Sequence, residues 1–326
     1  MGALGTVRLG LDLFGGVVPE SFEDVARWAA TAEANGFDSV WVTDDSLGGA
    51  AFEAMTLLGG LAVRTSTLRL GTIVPPGPGR TPAITAKALS TIDLLSGGGR
   101  LLAGVGAGQL AGPHGDAGSN DDSGDGRLVE ALAIVRALFG GEPVSSPGPT
   151  WRLAGAVNQP PPAHGSATPL VVEVAQVRST AVAEAADVLV VRGSPDRVAE
   201  VATVAQVAAI GSHRDPSALR QPVVLWRGRA VFAGAHGGRA ACHPRGVGAD
   251  PLATVLDLSH PEVCAGTVRA LGQAGASGVI VAVEGVGQGE SSSTARPEEL
   301  ADYDDVIAAA GRVLSVVVAD ELGRAG

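Results

Sequence analysis

The most informative part of the chain is Leu68–Gln109, LRLGTIVPPGPGRTPAITAKALSTIDLLSGGGRLLAGVGAGQ. It opens with an apolar run that has no helical period, and a cluster of prolines and glycines ends that run at residues 75–79. Thr81-Pro82 then supplies a capping hydroxyl and a first-turn proline, and apolar residues repeat at helical spacing as far as Leu95. A glycine turn and a second apolar run, residues 101–105, follow. Two such strands joined by a helix predict a parallel βαβ unit with both faces covered.

Four short motifs occur in this stretch in a fixed order. They are LGTIV at Leu70–Val74, the Thr81-Pro82 pair, DLLSGGGR at Asp93–Arg100 and GVGAG at Gly104–Gly108. No single motif is specific, but the ordered set resembles the luciferase-like superfamily of flavin- and deazaflavin-dependent oxidoreductases. The resemblance selects neither the cofactor nor the reaction.

The alternation of apolar strand and amphipathic helix extends along the whole chain. Predicted strands cover residues 7–14, 37–43, 68–74, 101–105, 170–175, 188–191, 222–233 and 278–283, and predicted helices cover 21–35, 52–64, 81–95, 127–139, 179–186, 196–210, 261–274 and 297–318. Eight such units predict a single luciferase-like (β/α)8 TIM-barrel domain over residues 1–326. The alternative, a doubly wound open sheet, needs a G-x-G-x-x-G turn after the first strand, and Asp12–Gly16 lacks that spacing.

Three segments interrupt the alternation, at residues 109–126, 140–167 and 234–250. The first is rich in Gly, Asp and Ser, which predicts a loop, and the second is rich in proline, with a short strand expected near Trp151. We expect all three segments to shape the substrate pocket.

Composition restricts the classes of partner. The chain has 326 residues, 45% of them hydrophobic, and its 23 basic and 34 acidic residues give a net charge of -11. That charge and an aromatic content of 3% argue against a nucleic-acid partner. The sequence has no apolar run of about 18 residues and no signal-like N-terminus, which predicts a cytoplasmic protein without a membrane partner.

Cysteine and histidine content predicts neither disulfides nor a metal site. Cys242 and Cys264 are too few for a disulfide framework in a chain of this size and are expected to be reduced. The spacing of the histidines around them matches no common zinc pattern, so no metal is expected.

In a barrel of this class the active site lies at the C-terminal ends of the strands. Each residue there is a candidate, although a turn or capping role is the alternative for each. The candidate cofactor-binding residues are Asp12, Thr43, Asp44, Thr72, Ile73, Val74, Gly106, Ala107, Gly108, Gln109, Ala175, Gln176, Val177 and Arg178, and Arg192 follows the sixth predicted strand.

The resemblance gives some of these residues particular roles. In deazaflavin members of the family a non-proline cis peptide at the end of the third strand backs the ring, and Thr72, Ile73 and Val74 occupy the matching positions. Gly106-Ala107-Gly108 matches the wall beside the ring.

Three departures from the family pattern limit the chemistry. Asp44-Asp45 replaces an Asp-His pair, which excludes histidine acid–base catalysis there and leaves Asp45 as the candidate catalytic residue. Gln109 replaces a glutamate of the family's sugar-phosphate dehydrogenases and cannot transfer a proton. The glycine-rich phosphate turn after the fifth strand is replaced by Val174–Thr180, VAQVRST, in which Arg178 and two hydroxyls could donate to an anion. The alternative is a chain that has lost the flavin site.

Arg227 and Arg229 lie two apart on the seventh predicted strand and therefore share a face. Facing inward they would form an anion subsite, and facing outward they would pair with acidic helix residues. We expect the outward orientation.

These observations favour an oxidoreductase that uses the deazaflavin coenzyme F420 for hydride transfer to an activated C=C or C=N bond of a small organic substrate. One alternative is an FMN-dependent monooxygenase of the same family, and another is a non-catalytic barrel subunit that has lost the cofactor site. The resemblance also implies a homodimer built through the helices around strands two to four.

Overall fold

The computed structural model describes residues 8–13, 19, 21–43, 52–74, 80–106, 123–174, 180–211, 223–231, 255–284 and 297–323. Within these residues the strands are β1 (Leu9–Asp12), β2 (Ser39–Thr43), β3 (Arg69–Ile73), β4 (Leu101–Gly104), β5 (Val144–Pro147), β6 (Arg152–Ala156), β7 (Leu170–Val174), β8 (Val188–Arg192), β9 (Val223–Val231), β10 (Val255–Asp257) and β11 (Gly278–Glu284). The helices are α1 (Phe22–Ala34), α2 (Ala54–Arg64), α3 (Pro82–Leu95), α4 (Ser123–Phe139), α5 (Thr180–Ala185), α6 (Pro195–Gly211), α7 (Pro261–Gln273) and α8 (Pro297–Gly323).

Eight of these strands close into a parallel barrel. Their circular order is β11, β1, β2, β3, β4, β7, β8, β9, and β9 closes the ring because it pairs with both β8 and β11. The predicted (β/α)8 barrel is therefore confirmed, and the open-sheet alternative is wrong. No helix in the described ranges is long and apolar enough to cross a membrane.

The βαβ unit around α3 forms for local reasons. The Thr81 hydroxyl accepts a hydrogen bond from the Ile84 N–H, which caps the helix. At the other end three glycines, Gly97–Gly99, have φ of 86°, 89° and 83°, a left-handed conformation that side chains other than glycine's rarely adopt. The buried Asp93 carboxylate accepts the N–H of Gly99 and of Ala163, each at 2.8 Å, and so fixes this turn.

Strand residues alternate between two apolar layers. Outward side chains such as Leu11, Val40 and Leu70 are buried against the helices. Inward side chains, including Leu102 and Ile280, fill the barrel interior. This two-sided burial explains why the strands are almost uninterrupted apolar runs in the sequence.

Four predictions about individual elements are wrong or incomplete. The excursion expected to hold one short strand contains an antiparallel hairpin, β5–β6. Helix α4 begins at Ser123, inside the predicted loop, and α8 continues to Gly323. Strand β10 was not expected, because it forms by pairing with the part of β9 that extends beyond β8.

The excursion between α4 and β7 does not shape the mouth at the C-terminal strand ends. It connects the end of a helix to the start of a strand, which places it at the N-terminal ends of the strands. The hydrogen bond from the Ala163 N–H to Asp93, near the C-terminal end of α3 and just before β4, confirms this position. The expectation that residues 140–167 line the substrate pocket is therefore wrong.

Candidate active site

Charged and polar side chains converge inside the barrel near the C-terminal ends of its strands. Asp12 ends β1, Thr43 ends β2, Arg192 ends β8 and Glu173 is next to last in β7. Arg227 lies in β9, in register with Arg192. Contacts between strands that are not neighbours, described next, place this group in the barrel interior.

Arg227 is the centre of the group. Its Nε lies 3.0 Å from Asp12 Oδ2, which its Nη2 also contacts, and its Nη1 lies 3.2 and 3.1 Å from the two Glu173 oxygens. The Thr43 hydroxyl accepts from Nη2 at 3.4 Å. Burial lowers the pKa of the guanidinium, but Asp12 and Glu173 outweigh burial, so its pKa lies above the ordinary value.

The expected outward orientation of Arg227 is wrong. Val224 and Trp226 occupy the outward positions of β9 and pack in the outer apolar layer, so the strand's alternation turns Arg227 inward. The side chain of Arg229 lies outside the described residues.

Glu173 joins Arg227 to the rim of the barrel. Arg192 Nε donates to Glu173 Oε1, so this carboxylate contacts two guanidiniums. Burial raises the pKa of Glu173, but the charges of Arg227 and Arg192 together hold it below its ordinary value. Glu173 is therefore an ionised anchor and a poor proton donor at neutral pH.

Trp41 forms a floor in the barrel interior, two residues before Thr43 in β2. Its indole N–H donates to Ser39 Oγ at 3.0 Å. A Cβ at Gly10 would lie 2.7 Å from the indole nitrogen, and one at Gly71 would lie 2.4 Å from an indole carbon. Glycine at these two positions is what allows Trp41 to lie across β1 and β3.

The ends of β3 and β4 place the predicted ring-backing residues on different faces. Ile73 faces the barrel interior, whereas Val74 packs in the outer layer and the Thr72 hydroxyl donates to the Val42 carbonyl at 2.8 Å. In the described ranges a cis peptide occurs only at Gln159–Pro160, so the cis bond that the resemblance implies at residues 72–74 is not present.

Two glycines at the end of β4 have different surroundings. A Cβ at Gly104 would lie 1.5 Å from the Thr72 carbonyl oxygen, so close approach of β3, rather than a ligand, requires glycine there. Gly106 is buried, and its N–H donates to the Val74 carbonyl at 3.0 Å.

Several predicted site residues lie outside the described residues and remain predictions. They are Asp44, Asp45, Ala107, Gly108, Gln109, Ala175, Gln176, Val177 and Arg178.

Sequence reasoning missed Glu173. The signal was available, because a lone glutamate in the otherwise apolar strand LVVEV must be paired if both faces of that strand are buried. The partner could not be identified, because β7 and β9 are separated by β8 and meet only across the closed barrel.

Two described residues are compatible with a planar redox ring at one side of the mouth. Ile73 offers an apolar inward side chain, and Gly106, at the end of the neighbouring strand, has no side chain to obstruct a ring. Arg227 supplies a positive charge that its neighbours hold in place.

The sequence matches the luciferase-like monooxygenase family over residues 7–241. It is 32% identical over 132 residues to 5,10-methylenetetrahydromethanopterin reductase of Methanolobus tindarius, a match that covers 40% of this chain and 39% of that protein. The chain thus spans about two fifths of the length of the curated relatives it matches.

Solved structures share the fold over nearly the whole chain. The coenzyme F420-dependent tetrahydromethanopterin reductase of Methanopyrus kandleri superposes with a TM-score of 0.69 at 18% identity, covering 94% of this chain and 98% of that one. The monooxygenase RslO1 of Streptomyces bottropensis has a TM-score of 0.70 at 20% identity, covering 97% and 99%. With the family match covering β1 to β9, the chain belongs to the luciferase-like monooxygenase family.

Proposed function

We propose that this chain is an oxidoreductase that binds coenzyme F420 at the mouth of its barrel and supports hydride transfer to an activated C=C or C=N bond of a small organic substrate. The observation that carries the proposal is the buried Asp12–Arg227–Glu173 group at the C-terminal strand ends. Buried ion pairs are weak contributors to stability, so three such charges in an apolar barrel favour a functional role. The sequence relative is a methylenetetrahydromethanopterin reductase, and the tetrahydromethanopterin reductase that shares the fold is F420-dependent, which supports F420 over FMN.

Each described residue would have a defined part in this function. The bound deazaflavin would supply the hydride chemistry. Trp41 would set the depth of the pocket and exclude water, and Ile73 would contact the ring from its apolar side. Arg227 would hold Asp12 and Glu173 in a fixed arrangement at the strand ends, so that this polar group needs no reorganisation when the ring binds.

Neither described carboxylate at the mouth is suited to donate a proton. Both Asp12 and Glu173 accept hydrogen bonds from Arg227. Asp45 therefore remains the proposed proton-transfer residue. The resemblance to the family suggests that Ala175–Arg178 would bind the phosphate of the cofactor.

Equilibrium titration tests the proposal. Purified protein is titrated with F420 and, separately, with FMN, and cofactor fluorescence is followed. We expect F420 to bind with a Kd of tens of micromolar or tighter, about −6 kcal/mol or stronger. Binding of neither cofactor would exclude the oxidoreductase and favour the non-catalytic barrel.

The FMN-dependent monooxygenase is the second candidate, and the match to the luciferase-like monooxygenase family favours it. It predicts tight FMN binding and oxygen consumption when a flavin reductase supplies reduced FMN. Binding of F420 without oxygen consumption would exclude this candidate.

The homodimer would bury an apolar surface on α2 and α3. Val63, Ile84 and Leu95 are 61%, 59% and 49% exposed, although each is a large apolar residue. A Cβ at Gly59 of α2 would lie 3.9 Å from Leu95 Cδ1, so the two helices form one continuous surface. Light scattering should show a dimer that Leu95→Asp dissociates.

A cytoplasmic location and the lack of a nucleic-acid partner remain predictions from composition.

A further inference from the structure

Four charged side chains form a row of alternating sign from the barrel interior to its mouth. The order is Asp12, Arg227, Glu173, Arg192, joined by contacts of 3.0 Å between Asp12 Oδ2 and Arg227 Nε, 3.1 Å between Arg227 Nη1 and Glu173 Oε2, and a hydrogen bond from Arg192 Nε to Glu173. The exposed fraction of these side chains rises along the row from 5% to 8%, 20% and 56%. The row therefore ends at the mouth in a cation.

One hydrogen bond anchors Arg192 and leaves other donors of its guanidinium available. Its described hydrogen bond is made by Nε to Glu173, a carboxylate that it shares with Arg227. A guanidinium has five N–H donors in a planar fork, and the donors of the two terminal nitrogens have no partner among the residues that the structure describes. Because Nε is anchored, the fork loses less side-chain entropy when it binds an oxyanion.

The surroundings of Arg192 differ from those of an isolated ion pair on a protein surface. Arg192 and Arg227 are in register on neighbouring strands, and Val188 and Val190 on the same face of β8 point into the barrel. Glu173 lies between the two guanidiniums and contacts both, and Asp12 balances Arg227 from the other side. Arg192 is the member of the row farthest from Asp12, and an anion bound to it would continue the alternation of charge.

We infer that Arg192 is a subsite for an oxyanion of the substrate, so that the substrate is an organic acid or a phosphate ester. The inference rests on the proposed function for the assignment of this group to a substrate. Arg227 cannot serve as this subsite, because its side chain is buried and both of its carboxylate neighbours already occupy its donors.

Calorimetric titration of the full chain with succinate and with inorganic phosphate tests the subsite without any cofactor. At constant ionic strength we expect weak binding of at least one probe, and Arg192→Met should weaken that binding about tenfold or more, which is the loss of one charged hydrogen bond. The matched control is Arg197→Met on α6, which removes an arginine paired with Glu200 outside the barrel and should leave binding unchanged. Tighter binding of succinate would indicate that the substrate is an organic acid, and tighter binding of phosphate would indicate a phosphate ester.

A second titration separates substrate from cofactor. F420 and its deazaflavin riboside, which lacks the phosphate, are titrated into wild type and Arg192→Met. Equal F420 affinity in both proteins supports the substrate subsite, and a loss for F420 but not for the riboside assigns Arg192 to the cofactor phosphate and overturns it. No binding of either probe, or equal probe binding in wild type and Arg192→Met, also overturns the inference. If the probes bind through Arg192 but neither F420 nor FMN binds, the subsite stands and the proposed oxidoreductase fails.

Discussion

Replacing Arg227 by methionine should destabilise the protein strongly, although the side chains are similar in length. The variant leaves Asp12 in a site where its side chain is 5% exposed and removes the guanidinium that contacts it. Glu173 also loses its contacts to Arg227 but keeps its hydrogen bond from Arg192, so its compensation is lost only in part. Removing one partner of a buried ion pair costs about 3–5 kcal/mol, and we expect the lower end, about 3 kcal/mol.

The pH dependence gives this prediction a second, independent readout. In the wild type the pKa of Glu173 is lowered from 4.5, so its contribution to stability is present above that pH and is lost below it. In Arg227→Met the main lowering charge is gone and only Arg192 still opposes burial, so the pKa of Glu173 is higher than in the wild type and the variant loses less stability than the wild type as the pH falls. The difference in stability between the two proteins should be largest at about pH 7 and should narrow as the pH falls through and below about 4.5.

Urea unfolding followed by tryptophan fluorescence measures both effects. The control, Arg197→Met, breaks an exposed i,i+3 pair and should cost less than about 1 kcal/mol at every pH. A loss of under about 1 kcal/mol for Arg227→Met, or a loss that does not change with pH, would refute the electrostatic account of this group.

Four further substitutions, one of them a control, test the structure outside the charged group. Gly104→Ala places a Cβ 1.5 Å from the Thr72 carbonyl oxygen and should cost at least about 2 kcal/mol, whereas Gly266→Ala, with nothing within 4 Å, should be neutral or stabilising by thermal unfolding. Arg100→Lys loses a fork that bonds the carbonyls of Ala62, Thr65, Leu68 and Ser96, and should lower the free energy of unfolding by about 2–4 kcal/mol. Glu33 accepts hydrogen bonds from three backbone N–H groups, and its pKa is lowered from 4.5 to about 2. Glu33→Gln should therefore lower the free energy of unfolding by about 1 kcal/mol at about pH 7, after discounting for the exposure of the side chain. This cost should disappear as the pH falls from 4.5 toward 2, and an unchanged cost at low pH would contradict the prediction.

Much of the barrel was predictable because its signals are local. The capped start of α3, the glycine turn after it and the two flanking apolar runs each depend on residues within one turn or strand. The elements that the sequence did not predict were β10, which forms by pairing with β9, and the second strand of the hairpin β5–β6.

The candidate site was less predictable than the fold. Asp12 and Thr43 were identified because strand ends define the mouth of any such barrel. Glu173 was missed and Arg227 was assigned to the wrong face, because strand periodicity states that two residues share a face but not which face it is.

Apolar periodicity along the chain was sufficient for the strands, the helices and their number, since hydrophobic burial acts on each segment separately. Closure of the ring was required to bring Asp12, Glu173 and Arg227 together from three strands of which no two are neighbours. Such a contact depends on how far each strand is displaced relative to the next, and that displacement is a property of the whole barrel rather than of any one segment.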